Sequence, residues 1–480
     1  MTDKSVYITT TLPYVNSDPH LGFALEIVQA DAFARFKRQQ GFDVFFNFGT
    51  DEHGLKIYRK ALELGREPQE YVDEYAKKFD NLKEALNLSY NNFIRTTDPN
   101  HAKAAQEFWE RCDKNGDIYK KNYKQKYCVG CELEKTDSEL VDGKCPLHPN
   151  QNIEIIEEEN YFFKFSKYQK PLLDFYAKNP DFVIPAGKFN EIKTFVEGGL
   201  QDFSISRLKS KMPWGIPVPN DSEHIMFVWF DALVNYISAI GWPDDTGKFK
   251  KWWPVIQFAG KDNLRQQTAI WQAMLASAGL PFSKQVFIHG FITVDSQKIS
   301  KSLGNTINPI EVAEKYGTDA LRYYLLAKIN PYNDSDFTFK QFEETYNGEL
   351  ANGLGNLVSR VSKLCEIDEI EGIKDNSLDL ENLRTKLTVG GFFVDLDSYQ
   401  FNLAVEEIWR EVKSLDLEIS SFEPWNKTKE GRSGNIRKYA KRILSISYFL
   451  KPFLPETAEK IDKQFKGSII SSSSPLFPRL

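Results

Sequence analysis

The sequence lacks any apolar run long enough to cross a membrane. None of its 480 residues lie in a stretch that approaches the roughly 18 consecutive apolar residues of a transmembrane helix. The N-terminus, MTDKSVYITTTLPY, also has no apolar signal core. We therefore expect a cytoplasmic protein with no membrane association.

The sequence also has no strong excess of either charge. It contains no internal repeats and no long low-complexity runs. Its 61 Lys and Arg residues and 67 Asp and Glu residues leave a formal net charge of −6. A mildly negative total does not exclude nucleic acid as a partner, because a local basic face is sufficient for binding. At about 100–200 residues per domain, the length predicts two to four domains.

Cysteine is scarce, and three of the five cysteines lie close to a histidine. Cys128 and Cys131 form a C-x-x-C pair, and Cys145 and His148 form a C-x-x-H pair 14 residues further on. Disulfides are not expected in a cytosolic chain, so a metal explains this spacing better than a chance cluster of thiols. Four protein donors fill a tetrahedral Zn²⁺ site and leave no open position for a substrate, which predicts a structural zinc.

The segment that follows the first predicted strand begins a helix with polar residues. Asp18 is a good N-cap, Pro19 suits the first helical position, and Gly41 ends the periodic pattern. This places His20 in the first turn, where the free N–H groups favour bound anions. Gly22 would let a ligand approach the backbone. The alternative is an ordinary surface histidine near a helix cap.

A second polar cluster follows the next predicted strand. The run FDVFFNF is rich in aromatic residues, and it leads to Asp51, Glu52, His53 and Gly54. In an open α/β sheet, ligands bind beyond the carboxyl ends of the strands. Two successive strands therefore deliver polar residues to the same edge of the sheet.

A basic loop follows a later strand, which we predict over 286–288. Lys298 and Lys301 lie three residues apart in the segment KISKS. Two lysines near a phosphate site would neutralise the charge that develops in phosphoryl or nucleotidyl transfer. The alternative is a solvated basic loop without a function.

These motifs carry a resemblance to a known family. HLGF at 20–23 resembles the HIGH signature of class I aminoacyl-tRNA synthetases, and KISKS at 298–302 resembles their KMSKS signature. The segments TTLPYVN, TDEHG, FVWFDALVNY, GKDNLR, FIHGFIT, GTDALRYYLL and FEPW, together with the cysteine cluster, resemble methionyl-tRNA synthetases. The matching segments span nearly the whole chain.

The resemblance implies ATP-dependent activation of L-methionine to methionyl-adenylate and transfer to the 3′ end of tRNA(Met). Such enzymes use no covalent nucleophile, so positioning and charge would supply the catalysis. Another class I synthetase and a non-catalytic tRNA-binding paralogue remain as alternatives. A short zinc-bearing insertion favours methionine over the relatives that carry a larger editing insertion.

The resemblance also implies the residues that bind ATP with Mg²⁺. His20, Lys298 and Lys301 would be catalytic, and the ATP contacts would be His20, Gly22, Gly260, Asp262, Gly290, Phe291, Lys298 and Lys301. The methionine contacts would be Leu12, Tyr14, Asp51, Trp229, Ala232, Leu233, Tyr236 and Trp271, with Asp51 facing the α-amino group. Without the resemblance, these aromatic residues would be interpreted as core.

Two positions depart from the family pattern. Phe23 replaces the last histidine of the HIGH signature, which removes a potential donor to the phosphates. Gln266 and Gln267 stand where the family carries Phe-His. These glutamines could line the pocket differently, or they could bond to Tyr236 or to each other.

Helical patterns dominate the C-terminal part of the chain. Asn356, Arg360 and Trp425 match anticodon contacts of the family, although Trp425 could be a buried bundle residue and Arg360 a solvated one. No appended dimerising module follows, so we expect a monomer.

The predicted fold begins with an α/β Rossmann-type catalytic domain in two halves, 1–115 and 223–300. A zinc-bearing connective insertion at 116–222 splits these halves. A lysine-loop and linker region at 301–345 and an all-α anticodon-binding bundle at 346–480 follow.

Overall fold

The computed structural model describes residues 4–131, 133–135, 137–299, 304–374 and 380–480. Its strands are β1 Ser5–Thr10, β2 Asp43–Thr50, β3 Asn92–Arg95, β4 Ile118–Cys128, β5 Leu133–Lys135, β6 Glu154–Phe163, β7 Val183–Ile184, β8 Phe203–Ser204, β9 Ser206–Leu208, β10 Pro217–Val218, β11 Asp221–Met226, β12 Val255–Gly260, β13 Gln285–His289, β14 Ile292–Val294, β15 Gln297–Lys298 and β16 Ser335–Phe337.

The helices have the following bounds: α1 Leu21–Gln39, α2 Leu55–Glu63, α3 Pro68–Asp80, α4 Leu82–Ala85, α5 Pro99–Lys114, α6 Gln169–Lys178, α7 Ala186–Glu197, α8 Val228–Ala232, α9 Asn235–Ser238, α10 Thr246–Trp252, α11 Trp271–Ser277, α12 Pro309–Tyr316, α13 Thr318–Ala327, α14 Phe339–Thr345, α15 Asn356–Ile367, α16 Leu380–Gly390, α17 Phe392–Asp397, α18 Phe401–Phe422, α19 Lys429–Leu450 and α20 Pro455–Phe465. Among the residues that the structure describes, no helix is long and apolar enough to span a bilayer.

The chain forms two compact units. The first contains Met1–Pro19, Phe42–Asn81 and Tyr90–Ile288. The second contains His20–Gly41, Leu82–Ser89 and His289–Leu480.

A six-stranded sheet organises the first unit, with the strand order β3-β2-β1-β12-β13-β7. β1 runs parallel to β2 on one side and to β12 on the other, and β13 runs parallel to β7. Every residue of β12 is buried, as expected for a parallel sheet covered on both faces. The predicted α/β fold with a parallel sheet is confirmed.

Two antiparallel sheets lie in the chain between β3 and β12. β4 pairs with β6 along ten residues, Ile118 to Tyr127 against Glu154 to Phe163, within the order β5-β4-β6-β8. A smaller sheet has the order β10-β11-β9. Chain segments on both sides of an insertion thus contribute to the parallel sheet, and β7, which lies within the predicted segment 116–222, adds an edge strand beside β13.

The second unit is mainly helical, and a buried arginine joins several of its segments. Arg322, on α13, is 0% exposed and its Nη2 lies 2.9 Å from Asp31 Oδ2 on α1. Its guanidinium also donates to the carbonyl oxygens of Leu86, Pro452 and Phe453. These contacts satisfy a buried charge with one carboxylate and three carbonyls, which is the condition for its burial.

The ends of the helices test the capping predictions. α1 begins at Leu21 with His20 as its N-cap, so the prediction that Asp18 caps the helix is wrong. Asp18 is instead bound by Lys78 Nζ on α3 at 2.9 Å. Gly41 follows the helix with φ 83°, which confirms it as the terminating residue. Asn308 caps α12 by accepting a hydrogen bond from Ile310 N–H.

Candidate active site

Asp51 lies directly after β2 at the carboxyl edge of the parallel sheet. Its N–H donates to Pro13 O at 3.0 Å, and its carbonyl accepts from Val15 N–H at 3.2 Å. This isolated parallel bridge sets Tyr14 opposite Asp51. Asp51 is 2% exposed, so the sheet edge holds a buried carboxylate beside Tyr14.

Glu52, the next residue, is occupied by structural contacts. Arg95 binds its carboxylate with Nε at 2.7 Å and Nη2 at 2.9 Å, and Thr50 Oγ1 donates to it at 2.6 Å. Its backbone N–H donates to Thr96 Oγ1 at 2.9 Å. The Glu52 charge is therefore neutralised by a bidentate arginine pair.

His53 completes the cluster and contacts α8. Its Nδ1 lies 2.8 Å from Asp231 Oδ2, and both side chains are buried. Burial raises the pKa of the Asp231 carboxyl even though His53 opposes the shift. Burial, and then the charge of His53, lower the pKa of neighbouring His101 to about 3, so His101 is neutral near pH 7. His53 was among the polar residues singled out from the sequence, whereas Asp231 was not.

The predicted methionine contacts fall into two groups within the first unit. In the first, the rings of Tyr14 and Trp229 meet edge to face at 6.1 Å, and both residues are half-buried, as is Leu12. In the second, Tyr236 and Trp271 meet at 5.8 Å and are 2% and 0% exposed. The buried residues Ala232 and Leu233 lie in the chain between the two groups.

Trp271 belongs to the hydrophobic core of the first unit. Its ring stacks on Phe108 at 5.6 Å with an interplanar angle of 25°. The indole Nε1 atoms of Trp229 and Trp271 are buried, and neither has an acceptor in the described part of the chain. A ligand acceptor could satisfy either N–H, since buried donors in proteins are almost always paired.

The two glutamines that depart from the family pattern lie just before α11, on a π-helical turn over Gln266–Ile270. Gln267 Oε1 accepts from Gln257 Nε2 on β12 at 2.7 Å, and Gln267 O accepts from Gln272 Nε2 at 2.8 Å. Gln257 is thus a partner that sequence analysis did not consider. Gln266 is 6% exposed, and its Oε1 has no donor among the described residues.

His20 has an additional role as a helix cap in the second unit. Its Nδ1 accepts from Gly22 N–H at 3.1 Å, and a Cβ added at Gly22 would lie 2.9 Å from the imidazole. The ring of Phe23 lies 4.3 Å from the imidazole with an interplanar angle of 30°. Phe23 therefore packs on His20 and orients it.

The backbone at Gly290 and Phe291 is engaged within the second unit. Gly290 N–H donates to Pro331 O at 3.2 Å, and Phe291 N–H donates to Asp334 Oδ1 at 2.9 Å. A Cβ at Gly290 would lie 2.2 Å from Asn333 O, so only glycine fits. Any contact with a base here would use packing against the backbone and the Phe291 ring.

His289 and Glu26 form a buried pair that sequence analysis missed. His289 Nε2 lies 2.9 Å from Glu26 Oε2 on α1, and its Nδ1 lies 2.7 Å from Gly290 O. Both ring nitrogens of His289 thus face oxygen atoms. A carboxylate within the apolar stripe of α1 was the signal available in the sequence.

The other predicted ATP residues that the structure describes are divided between the two units. In the first unit, Gly260 ends β12 and is buried, whereas Asp262 is exposed and accepts from Asn263 Nδ2 at 3.3 Å. In the second unit, the backbone of Lys298 lies in β15, opposite Thr293. Lys301 lies outside the described residues.

The predicted metal ligands converge in the first unit. One donor atom from each of Cys128, Cys131, Cys145 and His148 lies within 4.8 Å of every other. Cys131 Sγ is 3.5 Å from Cys145 Sγ and 3.2 Å from His148 Nδ1. A tetrahedron with metal–sulfur bonds of ~2.3 Å has edges of ~3.8 Å, so the donor set fits a metal ion. A Cβ at Gly130 would lie 2.5 Å from the His148 ring, so the turn requires glycine.

The two remaining cysteines are isolated. Cys112 and Cys365 are both 0% exposed. Burial raises the pKa of each thiol to about 12, which leaves both protonated and unreactive near neutral pH.

The helical region brings two of its three predicted anticodon residues together. The Arg360 guanidinium lies 5.7 Å from the Trp425 ring centroid, and Arg360 is also paired with Asp416. Asn356 is exposed one turn before Arg360 on α15. Trp425 is 51% exposed on a 3₁₀ turn over Pro424–Asn426, so it is not a buried bundle residue.

Comparisons with known proteins identify the family of this chain. Residues 6–154 and 149–362 match the family described as tRNA synthetases class I (M). The methionine–tRNA ligase of Thermosynechococcus vestitus is 40% identical over 479 residues, which cover 96% of this chain and 90% of the relative. That of Brucella suis is 37% identical over 518 residues, which cover 100% and 98%. The structure of Mycobacterium tuberculosis methionyl-tRNA synthetase in complex with methionyl-adenylate matches with a TM-score of 0.91 at 34% identity, over 99% of this chain and 100% of that chain. The chain therefore belongs to the methionyl-tRNA synthetases of class I, the methionine–tRNA ligases.

Proposed function

We propose that the protein activates L-methionine with ATP to give methionyl-adenylate and pyrophosphate, and then transfers the methionyl group to the 3′ end of tRNA(Met). One observation of the structure carries this proposal. The buried Asp51 carboxylate lies opposite Tyr14 at the sheet edge, and Tyr14 meets the ring of Trp229. A carboxylate beside an aromatic pair suits an amino acid with a cationic amine and a soft apolar side chain.

Recognition of methionine would divide between these groups. Asp51 would bind the α-ammonium, since charge-assisted hydrogen bonds are strongest in a buried setting. Tyr14 and Trp229 would pack on the flexible thioether, which makes favourable contacts with aromatic rings. The half-buried Leu12 and the more deeply buried Ala232, Leu233, Tyr236 and Trp271 would shape the end of the site.

The ATP contacts would use the start of α1 and the lysine loop. Because His20 Nδ1 accepts from Gly22 N–H, the neutral ring carries its proton on Nε2 and can donate it to a phosphate oxygen. Lys298 and Lys301 would neutralise charge that develops as the methionine carboxylate attacks the α-phosphate. Gly260 and Asp262 would contact the ribose, Gly290 and Phe291 the base, and Mg²⁺ would accompany the triphosphate.

The metal cluster would hold one Zn²⁺ through Cys128, Cys131, Cys145 and His148. All four positions are protein ligands, so the ion would stabilise the insertion and would not act on the substrate. In the helical region, Trp425 would stack on an anticodon base, and Asn356 and Arg360 would bond to base edges.

ATP–pyrophosphate exchange, measured with each of the twenty amino acids in turn, tests the proposed activity. We expect exchange that depends on methionine, and a loss of about 3–4 kcal/mol of transition-state stabilisation on Lys301→Ala, the scale of one preorganised donor. Exchange with a different amino acid would favour another class I synthetase. No exchange with any amino acid, together with retained tRNA binding, would favour a non-catalytic tRNA-binding paralogue.

A further inference from the structure

A closed ring of contacts joins the end of β2 to α8 in the first unit. Asp51 pairs with Tyr14 through the backbone, and the Tyr14 ring meets Trp229 of α8 at 6.1 Å. Asp231, two residues after Trp229, lies 2.8 Å from His53, and His53 lies two residues after Asp51. Two links therefore span from β2 to α8: one is aromatic and the other is a polar pair.

The polar pair restricts the distance between Asp51 and α8 more tightly than the aromatic contact does. The His53 and Asp231 side chains are 8% and 0% exposed, so water competes little for their hydrogen bond. A buried hydrogen bond to a carboxylate is short and directional, whereas an edge-to-face ring contact tolerates sliding over an ångström or so. The distance between Asp51 and α8 is therefore set mainly by the polar pair.

The His53–Asp231 pair lies on a different side of α8 from the Trp229 ring, which is the side predicted to contact methionine. Residues two apart on a helix project to different sides, so Asp231 anchors α8 on a side away from the one on which Trp229 meets Tyr14. Trp214 holds His53 in place, because its ring meets the imidazole at 5.7 Å and its Nε1 donates to Glu52 O at 2.6 Å. His53 is thus fixed between a tryptophan and a carboxylate.

We propose that His53 and Asp231 form a positioning pair for amino-acid recognition, whose hydrogen bond fixes the spacing between Asp51 and Trp229. The pair acts through those two residues and does not contact the reacting atoms. This inference rests on the proposed function, since it assumes that Asp51 and Trp229 bind methionine. Its consequence is selective: loosening the pair weakens methionine binding and leaves ATP binding intact.

Variants of His53 test the pair in ATP–pyrophosphate exchange. His53→Ala removes the donor, and His53→Asn keeps an amide nitrogen near the position of Nδ1. We expect His53→Ala to raise KM for methionine about 10-fold to 100-fold, as small displacements of positioned groups do, with KM for ATP within about twofold of wild type. His53→Asn should recover most of this loss.

A second histidine–aspartate pair, with a buried imidazole, supplies the control. His224 Nδ1 lies 3.0 Å from Asp221 Oδ2 on β11, and His224 is 4% exposed. His224→Ala removes a buried imidazole from the same unit, at a residue that is not among the predicted methionine contacts. We expect its thermal midpoint to fall as that of His53→Ala does, while its KM for methionine stays at the wild-type value.

The outcomes separate this inference from the proposed function. If the wild-type protein shows no methionine-dependent exchange, the proposed function fails before any variant is measured. If wild type is active but His53→Ala raises both KM values equally, or His53→Asn is no better than His53→Ala, the positioning role is refuted. Calorimetric titration of free methionine, without ATP, should show the same order of affinities.

Discussion

The imidazole of His20 accepts a hydrogen bond from the N–H of Gly22 across 3.1 Å, so the residue predicted to bind phosphate also caps α1. His20→Asn and His20→Ala separate the two roles. Asparagine is a strong N-cap, so His20→Asn should keep the wild-type stability, whereas His20→Ala should lose ~1 kcal/mol. Both variants lack the Nε2 donor, so both should lose about 10²–10³-fold in kcat for exchange.

The control for this prediction is a cap elsewhere in the second unit. Thr338 caps α14 by accepting from Gln341 N–H at 3.1 Å. Thr338→Ala should lose stability to the same extent as His20→Ala, with exchange unchanged. If His20→Asn kept the wild-type rate of exchange, His20 would be only a helix cap and the predicted contact with phosphate would be wrong.

Several elements of the fold could be predicted because residues close together in the chain determine them. Runs of β-branched and aromatic residues indicated β1 and β2, Gly41 marked the end of α1, and the spacing of three cysteines and His148 indicated the metal cluster. The predicted start of α1 was wrong because of a contact between residues far apart in the chain. Asp18 is intrinsically a good cap, but Lys78 binds its carboxylate and His20 caps instead.

The polar pairs could not be predicted because they join residues far apart in the chain. His53 and Asp231 are 178 residues apart, and Glu26 and His289 are 263 apart. Each pairing depends on which strands become neighbours in the sheet or on how the helices pack, and no local pattern encodes it. Among the site residues, Tyr14 contacts Trp229 and Tyr236 contacts Trp271, and their roles in methionine binding remain predictions.

Gly130 allows a test of the metal cluster that removes no ligand. A Cβ at this position would lie 2.5 Å from the His148 ring, so Gly130→Ala should displace the imidazole. We expect about one zinc per wild-type chain by elemental mass spectrometry, and less than half of that in Gly130→Ala, because a fourth ligand held off its tetrahedral position binds weakly. Gly187→Ala is the control, since a Cβ there meets nothing within 4 Å. Full metal content in Gly130→Ala would contradict the predicted ligand set.

The Asp31–Arg322 pair predicts how stability depends on pH. Burial alone would raise the pKa of the Asp31 carboxyl, but the charges of Arg322 and Arg35 outweigh it and hold the pKa below its usual range. A carboxyl with a lowered pKa contributes stability that is present above its unfolded pKa of ~3.9 and is lost as the pH falls further. Wild type should therefore lose stability between about pH 5 and its folded pKa.

Asp31→Asn should remove this contribution. At pH 7 we expect a loss of about 3–5 kcal/mol, because Arg322 would keep a buried charge without its carboxylate. The fall in the urea midpoint between pH 7 and pH 3 should then be smaller than in wild type. Asp397→Asn is the control, because the Lys37–Asp397 pair has a half-exposed carboxylate at 55% and should contribute ~0–1 kcal/mol. Equal effects of the two substitutions would contradict the buried-pair argument.

Trp425 predicts a separation between amino-acid activation and tRNA charging. Its ring is 51% exposed and lies 5.7 Å from the Arg360 guanidinium, so one face is held by the protein and the other can stack on a base. Stacking of one base contributes ~1–3 kcal/mol, so Trp425→Ala should raise KM for tRNA(Met) about 5-fold to 150-fold in aminoacylation. ATP–pyrophosphate exchange, which needs no tRNA, should stay at the wild-type rate. Trp425→Phe should recover part of the loss because it keeps an aromatic face. Val389→Ala is the control, because Val389 is 85% exposed on α16 and its substitution should change neither assay. A parallel loss of exchange in Trp425→Ala would show that the tryptophan supports the fold instead of binding the anticodon.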